Sequence, residues 1–297
     1  ADRIQLGKKN QQYWNILGVS VLDYFDLYKK FTYVRQESYR LNYIAKVELG
    51  ESKLDNPYET FKDFYTKDYQ KFVEYNIQDV ELVDKLEDKM KLIELCLTMA
   101  YEAKVNYTDV YSQVRCWDTI IYNHLLKKNI IIPPREDHDK DTQYEGAYVK
   151  DPQLGLHNWI VSFDLNSLYP HLIMQYNLSP ETLVGVQPKN MGVENYLNEK
   201  FNLQWAKDKN VTVAPNGSMY RRDKQGFLPE LMEKMYGDRV VFKKKTIEAK
   251  KEFQKTKDPI YKNEISRCNN IQMAKKISLN SAYGAIGNQY FRYFDVR

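Results

Sequence analysis

Trp159-Ile160-Val161-Ser162-Phe163-Asp164-Leu165-Asn166-Ser167-Leu168-Tyr169-Pro170-His171-Leu172-Ile173-Met174-Gln175-Tyr176 reads as a strand, an acid, a turn and a helix in succession. Ile160, Val161 and Phe163 are strand formers, and Asp164 interrupts the apolar run where a strand should end. Leu165 to Tyr169 make a tight turn. Pro170 suits the first turn of a following helix, where its missing N–H leaves no hydrogen bond unmade. Two roles are open to Asp164 on these residues alone. It can cap the next helix, or it can hold a cation where strand, turn and helix converge.

The ordered string Asp164-Leu165-Asn166-Ser167-Leu168-Tyr169-Pro170 resembles the first palm motif of family B DNA polymerases, in particular those of T-even-type tailed bacteriophages. The resemblance implies that Asp164 is catalytic and holds two Mg2+ ions, with help from the carbonyl of Leu165. It also implies nucleotide contacts from Ser167, Leu168 and Tyr169, the last lying under the incoming sugar. Magnesium prefers hard carboxylate and carbonyl oxygens, so the residue types suit that task. A ring in the place of Tyr169 would collide with a ribose 2′-hydroxyl, which makes deoxynucleotides the expected substrates.

Downstream, Gly226-Phe227-Leu228-Pro229 opens a helical segment that runs to Lys257, with Leu231, Met235, Val240, Val241, Ile247 and Phe253 as a broken apolar stripe. Asp258-Pro259 breaks the pattern, and Tyr261 to Tyr283 resumes it with Ile265, Cys268, Ile271, Ile277 and Leu279. Two long helices joined by a short turn should fold back on each other. Arg239 and Lys243 are four apart on the first; Lys276, Asn280 and Tyr283 are four and three apart on the second, so each set makes one stripe. Facing cations suit a triphosphate, with Arg as a bidentate fork and Lys as a point charge. Lys276-Ile277-Ser278-Leu279-Asn280-Ser281-Ala282-Tyr283-Gly284 resembles the fingers motif Lys-x-x-x-Asn-Ser-x-Tyr-Gly of the same family. That resemblance implies nucleotide binding by Arg239, Lys243, Lys276 and Asn280, and base-pair contact by Tyr283 and Gly284. Between these stretches, Pro215-Asn216-Gly217 flanked by Val211–Ala214 and Ser218–Arg222 is a hairpin signal.

Composition bounds the whole. With 297 residues, 43% apolar and 28% charged, the chain is too long for one ordinary core and is not disordered. No apolar run approaches the roughly 20 residues of a membrane span, and no signal peptide is expected. Cys96, Cys116 and Cys268 are odd in number and far apart, so reduced thiols are expected rather than a disulfide framework or a zinc knuckle. The net charge of +4 is unevenly spread: residues 51–95 hold twelve acids against seven bases, and residues 234–257 nine bases against three acids. The second stretch is the candidate polyanion contact, the alternative being a solvated helix face.

Upstream, Ile16, Leu17, Val19, Val21, Leu22 and Phe25 read as a strand-rich core run, and Gly50-Glu51-Ser52 and Asp55-Asn56-Pro57 as turns. Tyr69 to Leu97 reads as one long amphipathic helix, with Phe72, Val73, Val80, Val83, Leu86, Met90, Ile93 and Leu97 on its apolar face. Tyr101 to Ile132 reads as helical, with Val105, Val110, Val114, Trp117, Ile120, Ile121 and Leu125 inside. Tyr75 and Asp79, four apart, share a face on which a phenol can orient a water and a carboxylate can hold a metal; commonplace helix polarity is the other reading. Tyr75-Asn76-Ile77-Gln78-Asp79 resembles the third motif of the family's 3′–5′ proofreading exonuclease. No Asp-x-Glu precedes Tyr75, so the expectation is a partial exonuclease domain that lacks ligands for a second metal. Tyr144-Glu145-Gly146-Ala147 resembles a Tyr-x-Gly-Gly/Ala loop that touches template, which implies template contact by Tyr144 and Gly146.

The expected fold is therefore α/β (α+β multidomain). Residues 1–91 would be the C-terminal part of a ribonuclease H-like exonuclease domain, 92–135 a helical segment and linker, 136–225 the first part of a palm, 226–288 a helical-hairpin fingers domain and 289–297 a return to the palm. The resemblance implies DNA synthesis by two-metal nucleotidyl transfer to a primer 3′-hydroxyl. The second metal-binding carboxylate is expected beyond Arg297, and an internal piece of this kind is expected to be inactive alone. Tyr107-Thr108-Asp109 is no substitute, because it precedes Asp164 and lies in a helical section. Implied partners are primer-template DNA, dNTPs, a sliding clamp and other replisome proteins, in the cytoplasm of an infected bacterium, with no membrane. A non-catalytic nucleic-acid-binding remnant would need neither Asp164 nor Tyr169; half of a split polymerase and a protein-primed polymerase remain as further alternatives.

Overall fold

The computed structural model describes residues 2–6, 9–13, 16–32, 34–135, 149–186, 195, 198 and 204–295. Tyr144 and Gly146 lie outside them. The described chain is mostly helical with small antiparallel sheets and divides into two compact units, Ala1–Tyr101 with Asn106–Tyr111, and Glu102–Val105 with Ser112–Arg297. No described helix is long and apolar enough to cross a membrane. Cys96, Cys116 and Cys268 are all buried and free.

The first unit begins with a hairpin of β1 (Asp2–Leu6) and β2 (Lys9–Tyr13). Helices α1 (Tyr24–Phe31), α2 (Leu41–Leu49), α3 (Phe61–Lys67), α4 (Tyr69–Met90) and α5 (Leu92–Ala103) follow, then a 3₁₀ turn at Tyr107–Tyr111. The expected core run at residues 16–25 is not one. Ile16, Leu17, Val19 and Val21 are all exposed outside any strand, and Asp23 instead caps α1 through the Phe25 N–H at 2.9 Å. The local cap prevails because no strand among the described residues pairs with that run. The single helix expected from Tyr69 to Leu97 is two. Lys91 adopts a left-handed backbone at φ 55°, and its N–H closes the last turn of α4 on the Glu87 carbonyl. Such a residue ends a helix. Within α4, Leu82 and Leu86 are buried and Val80 is exposed; beyond the break the apolar face is re-aimed, with Leu92, Leu95, Cys96 and Met99 buried and Ile93 and Leu97 exposed.

In the second unit, α6 (Gln113–Leu126) buries Trp117, Ile121 and Leu125. The helical stretch expected over 101–132 is thus interrupted, and Ile130 and Ile131 are exposed beyond its end. Helix α7 (Leu168–Tyr176) leads through a 3₁₀ turn at Pro180–Thr182 into β3 (Leu183–Val186). Helix α8 (Gln204–Asp208), β4 (Val211–Val213) and β5 (Ser218–Arg221) come next, in a sheet of order β3-β5-β4. The expected hairpin is present, with Gly217 at φ 90° supplying the conformation its turn needs. Helices α9 (Phe227–Thr256) and α10 (Pro259–Ile286) then form the long hairpin, broken where expected: Lys257 is left-handed and Asp258 caps α10. One core joins these pieces, with Trp117, Ile121 and Leu125 packed on Ile173, Phe227, Leu228, Leu231, Met232, Leu279, Ala282, Ala285 and Phe291. The Trp117 indole N–H reaches the Ser278 carbonyl at 3.1 Å.

Two polar clusters fix the open base of the hairpin, where α9 starts and α10 ends. Asn177, left-handed at φ 59°, donates from Nδ2 to the carbonyls of Arg221 and Lys224 at 2.6 and 2.9 Å and accepts the Gly226 N–H at 2.9 Å. The start of α9 is then capped from outside, the Phe227 N–H donating to Glu181 at 2.6 Å. Gly226 is required there, since a Cβ would lie 2.5 Å from that of Ser179. At the same base, just after α10, Asp118 on α6 accepts from Arg292 at 2.8 and 3.2 Å and from Arg135 at 2.9 Å. Burial pushes the Asp118 carboxyl up, but the hydrogen bonds and charges of Arg292 and Arg135 outweigh that and hold it below the usual carboxylate range. A carboxylate with a depressed folded pKa adds stability that is full above its unfolded value near pH 4 and is lost as pH falls through the lower folded value. Asp118→Asn, which leaves two guanidiniums facing a neutral amide, should therefore destabilise the chain by about 2–4 kcal/mol at pH 7. Urea unfolding followed by circular dichroism should show that deficit, and the difference from wild type should shrink below about pH 4.

Candidate functional site

Helix α7 is short, and the turn before it supplies the site. Asn166 and Ser167 make the turn, with Ser167 left-handed at φ 54° and Leu168, Tyr169 and Pro170 as the first residues of the helix. Ser167 is the N-cap residue but makes no side-chain cap bond. Its hydroxyl instead accepts from Arg239 Nη1 at 3.1 Å, while its carbonyl accepts the His171 N–H and lies 2.9 Å from His171 Nδ1. The His171 ring meets Tyr236 edge-on at 4.7 Å, which pins α7 to α9.

Asp164 is exposed and three residues before that cap, so it is not the helix cap. The strand expected before it is absent: residues 159–165 are irregular, with Trp159, Ile160, Val161, Phe163 and Leu165 all exposed. Strand propensity is realised only on a ladder, and no described strand lies beside this segment. The segment thus exposes five large apolar side chains in seven residues. Among the described residues no group of three or more His, Cys, Asp or Glu could hold a metal ion. Asp164 and the Leu165 carbonyl are hard oxygen ligands, but these residues by themselves do not make up a complete magnesium site.

The long hairpin brings the cations to one side. Lys275 of α10 is buried, with its ammonium 3.2 Å from Asp238 of α9 and 2.8 Å from Glu102. On antiparallel helices that meet at Asp238 and Lys275, the next residue along each turns to the same side of the pair, because the two chains run in opposite directions. Those residues are Arg239 and Lys276. Tyr283 is seven residues beyond Lys276, two helical turns along the same stripe, and its ring stacks on that of Tyr169 with centroids 4.6 Å and planes 14° apart. Arg239 and Tyr283 thus carry one face of the hairpin onto the turn at 166–169, and that face holds Lys276 and the exposed Asn280. Lys243 is exposed one turn along α9 from Arg239. The Arg239 Nε is buried with no acceptor among the described residues, a donor that an anion would satisfy. Gly284 lies inside the last turn of α10, where a Cβ would meet nothing within 4 Å.

In the first unit, Tyr75 and Asp79 share a face of α4 as expected. Lys53, which the sequence did not single out, completes the cluster with its ammonium 2.6 Å from Asp79 and 4.7 Å from the Tyr75 ring centroid. Burial lowers the Lys53 pKa, but hydrogen bonds and charge from Asp79 and Tyr75 raise it on balance above the usual value. The other oxygen of Asp79 is buried without a partner. Nothing in the local sequence marks Lys53, since it comes from the loop after α2 and meets α4 only in three dimensions. Lys275 was legible only as a neighbour of Lys276.

Comparison with known proteins bears on these arrangements. The chain is 32% identical to the DNA-directed DNA polymerase of Escherichia phage RB69 over 95% of its length, and 32% identical to that of Enterobacteria phage T4 over 97%. It spans about a third of each, 35% and 36%. Its fold matches the solved family B DNA polymerase of the archaeon Pyrobaculum calidifontis with a TM-score of 0.67 at 21% identity, covering 95% of this chain and 34% of that one. The sequence model of DNA polymerase family B matches residues 104–294, which hold the Asp164 turn and the whole long hairpin, and this chain belongs to that family.

Proposed function

We propose that the turn at 164–169 and the facing side of the α9–α10 hairpin form the nucleotide side of an insertion site in a DNA-synthesising polymerase. The observation that carries this is the meeting of the two stretches through Arg239 on Ser167 and Tyr283 on Tyr169. In the reaction, a primer 3′-hydroxyl gives up its proton to water and its oxygen forms a bond to the α-phosphorus of a deoxynucleoside triphosphate. The bond between that phosphorus and the bridging oxygen breaks, and pyrophosphate leaves with the electron pair. Catalysis of this kind is mainly positioning and charge stabilisation, and here Arg239, Lys243 and Lys276 are the cations assigned to the triphosphate, with Asn280 beside them. Tyr169 is assigned to the sugar, Tyr283 and Gly284 to the base pair. Asp164 is assigned as the acid of the site, a ligand for Mg2+ whose remaining ligands these residues do not supply.

Residues 1–91 are assigned to the C-terminal part of a 3′–5′ exonuclease domain, with Tyr75 and Asp79 as its third motif. Template contact by Tyr144 and Gly146 rests on the sequence resemblance alone.

Three measurements on the polymerase that carries this segment test the assignment. Asp164→Asn should abolish nucleotide addition while primer-template binding, read by fluorescence anisotropy, persists; extension at near wild-type rate would remove Asp164 from the site. A charge-assisted hydrogen bond to phosphate is worth about 1.5–3 kcal/mol, so Arg239→Ala or Lys276→Ala should weaken dNTP affinity roughly ten- to a hundredfold. Lys255→Ala, whose ammonium pairs with Glu252 on exposed surface, should leave it unchanged. Tyr169→Ala should admit ribonucleotides, read as the ratio of dCTP to CTP incorporation in single turnovers.

A further inference from the structure

Tyr169 is the second residue of α7, and 40% of its surface is exposed. A long side chain on a helix has two open χ1 wells, so a ring this accessible needs a neighbour to hold it in one of them. The stack with Tyr283, at 4.6 Å and 14°, is such a neighbour. The backbone beneath is fixed by other groups: the Arg239 bond to Ser167 and the His171 contact with Tyr236 hold the turn and α7 against the hairpin without Tyr283.

We infer that Tyr283 is a positioning residue for sugar selection, because its stack on Tyr169 holds that ring in the orientation that excludes a 2′-hydroxyl. This rests on the assignment of Tyr169 to the sugar made above. Discrimination then follows the fraction of time the Tyr169 ring spends in the blocking orientation, and the stacked contact sets that fraction. Stacking needs the ring of Tyr283 and not its hydroxyl. A base-pair contact by Tyr283 alone would act on dCTP and CTP equally, since the two share base and triphosphate, and would leave their ratio unmoved.

The experiment compares single-turnover incorporation of dCTP and CTP by the wild-type polymerase, Tyr283→Ala, Tyr283→Phe, Tyr169→Ala and the double variant Tyr169→Ala/Tyr283→Ala. The dCTP-to-CTP preference should fall about three- to tenfold in Tyr283→Ala, the range an aromatic pair contributes. Tyr283→Phe should keep the wild-type preference. The double variant should discriminate no worse than Tyr169→Ala, since the two residues act through one ring. Equal losses for both nucleotides in Tyr283→Ala, with discrimination gone in Tyr169→Ala, would overturn the positioning role and spare the sugar assignment. An unchanged preference in Tyr169→Ala would overturn both. A double variant that falls below Tyr169→Ala by the full Tyr283 factor would show an independent effect and overturn the positioning role.

Discussion

The buried ammonium of Lys275 fixes the register on which the second unit depends. Removing an unpaired charge from water costs several kcal/mol, so Lys275 holds its place between the helices only with Asp238 and Glu102 in reach. A slide of α10 along α9 by one turn would carry it away from both carboxylates. Apolar packing alone would tolerate such a slide more readily, because the stripe on α9 is broken and much of its surface is charged. Once the register is set, Arg239 and Lys276 share a side, and Tyr283 follows on the same stripe.

The turn meets that side because its own bonds have been diverted. A serine at the start of a helix ordinarily spends its hydroxyl on a backbone N–H of the first turn. Ser167 gives that oxygen to Arg239 instead, and its left-handed backbone turns the carbonyl toward His171. The hairpin is held at its foot by Asn177, Glu181 and the missing side chain of Gly226 where α9 starts, and by Asp118 between two arginines where α10 has ended. These contacts join residues far apart in the chain, so the site is built by tertiary structure around two local motifs.

Elsewhere the local signals misled for identifiable reasons. Apolar residues at 16–25 and 159–165 were strand formers by composition, but a strand is completed by its neighbour, and neither run has one among the described residues. Lys91 broke a pattern that looked continuous, because periodicity does not report a left-handed residue when that residue is a lysine rather than a glycine. Beyond the break Leu95 is buried and the expected Ile93 is exposed, since the second helix is rotated against the first.

The sequence by itself determined the two long helices, the break at Asp258-Pro259, the hairpin at Pro215-Asn216-Gly217, the turn before Pro170 and the family. Each is written in a few adjacent residues whose backbone preferences agree. It also placed Arg239 with Lys243, and Lys276 with Asn280 and Tyr283, on single stripes, because helical spacing is local. Only the tertiary structure decided that the stripes share a side, that Arg239 lands on Ser167 and Tyr283 on Tyr169, and that Asp79 is met by Lys53. Those outcomes depend on helix register and on loops crossing between elements, and the energies that select them are buried charge and packing between residues distant in the chain.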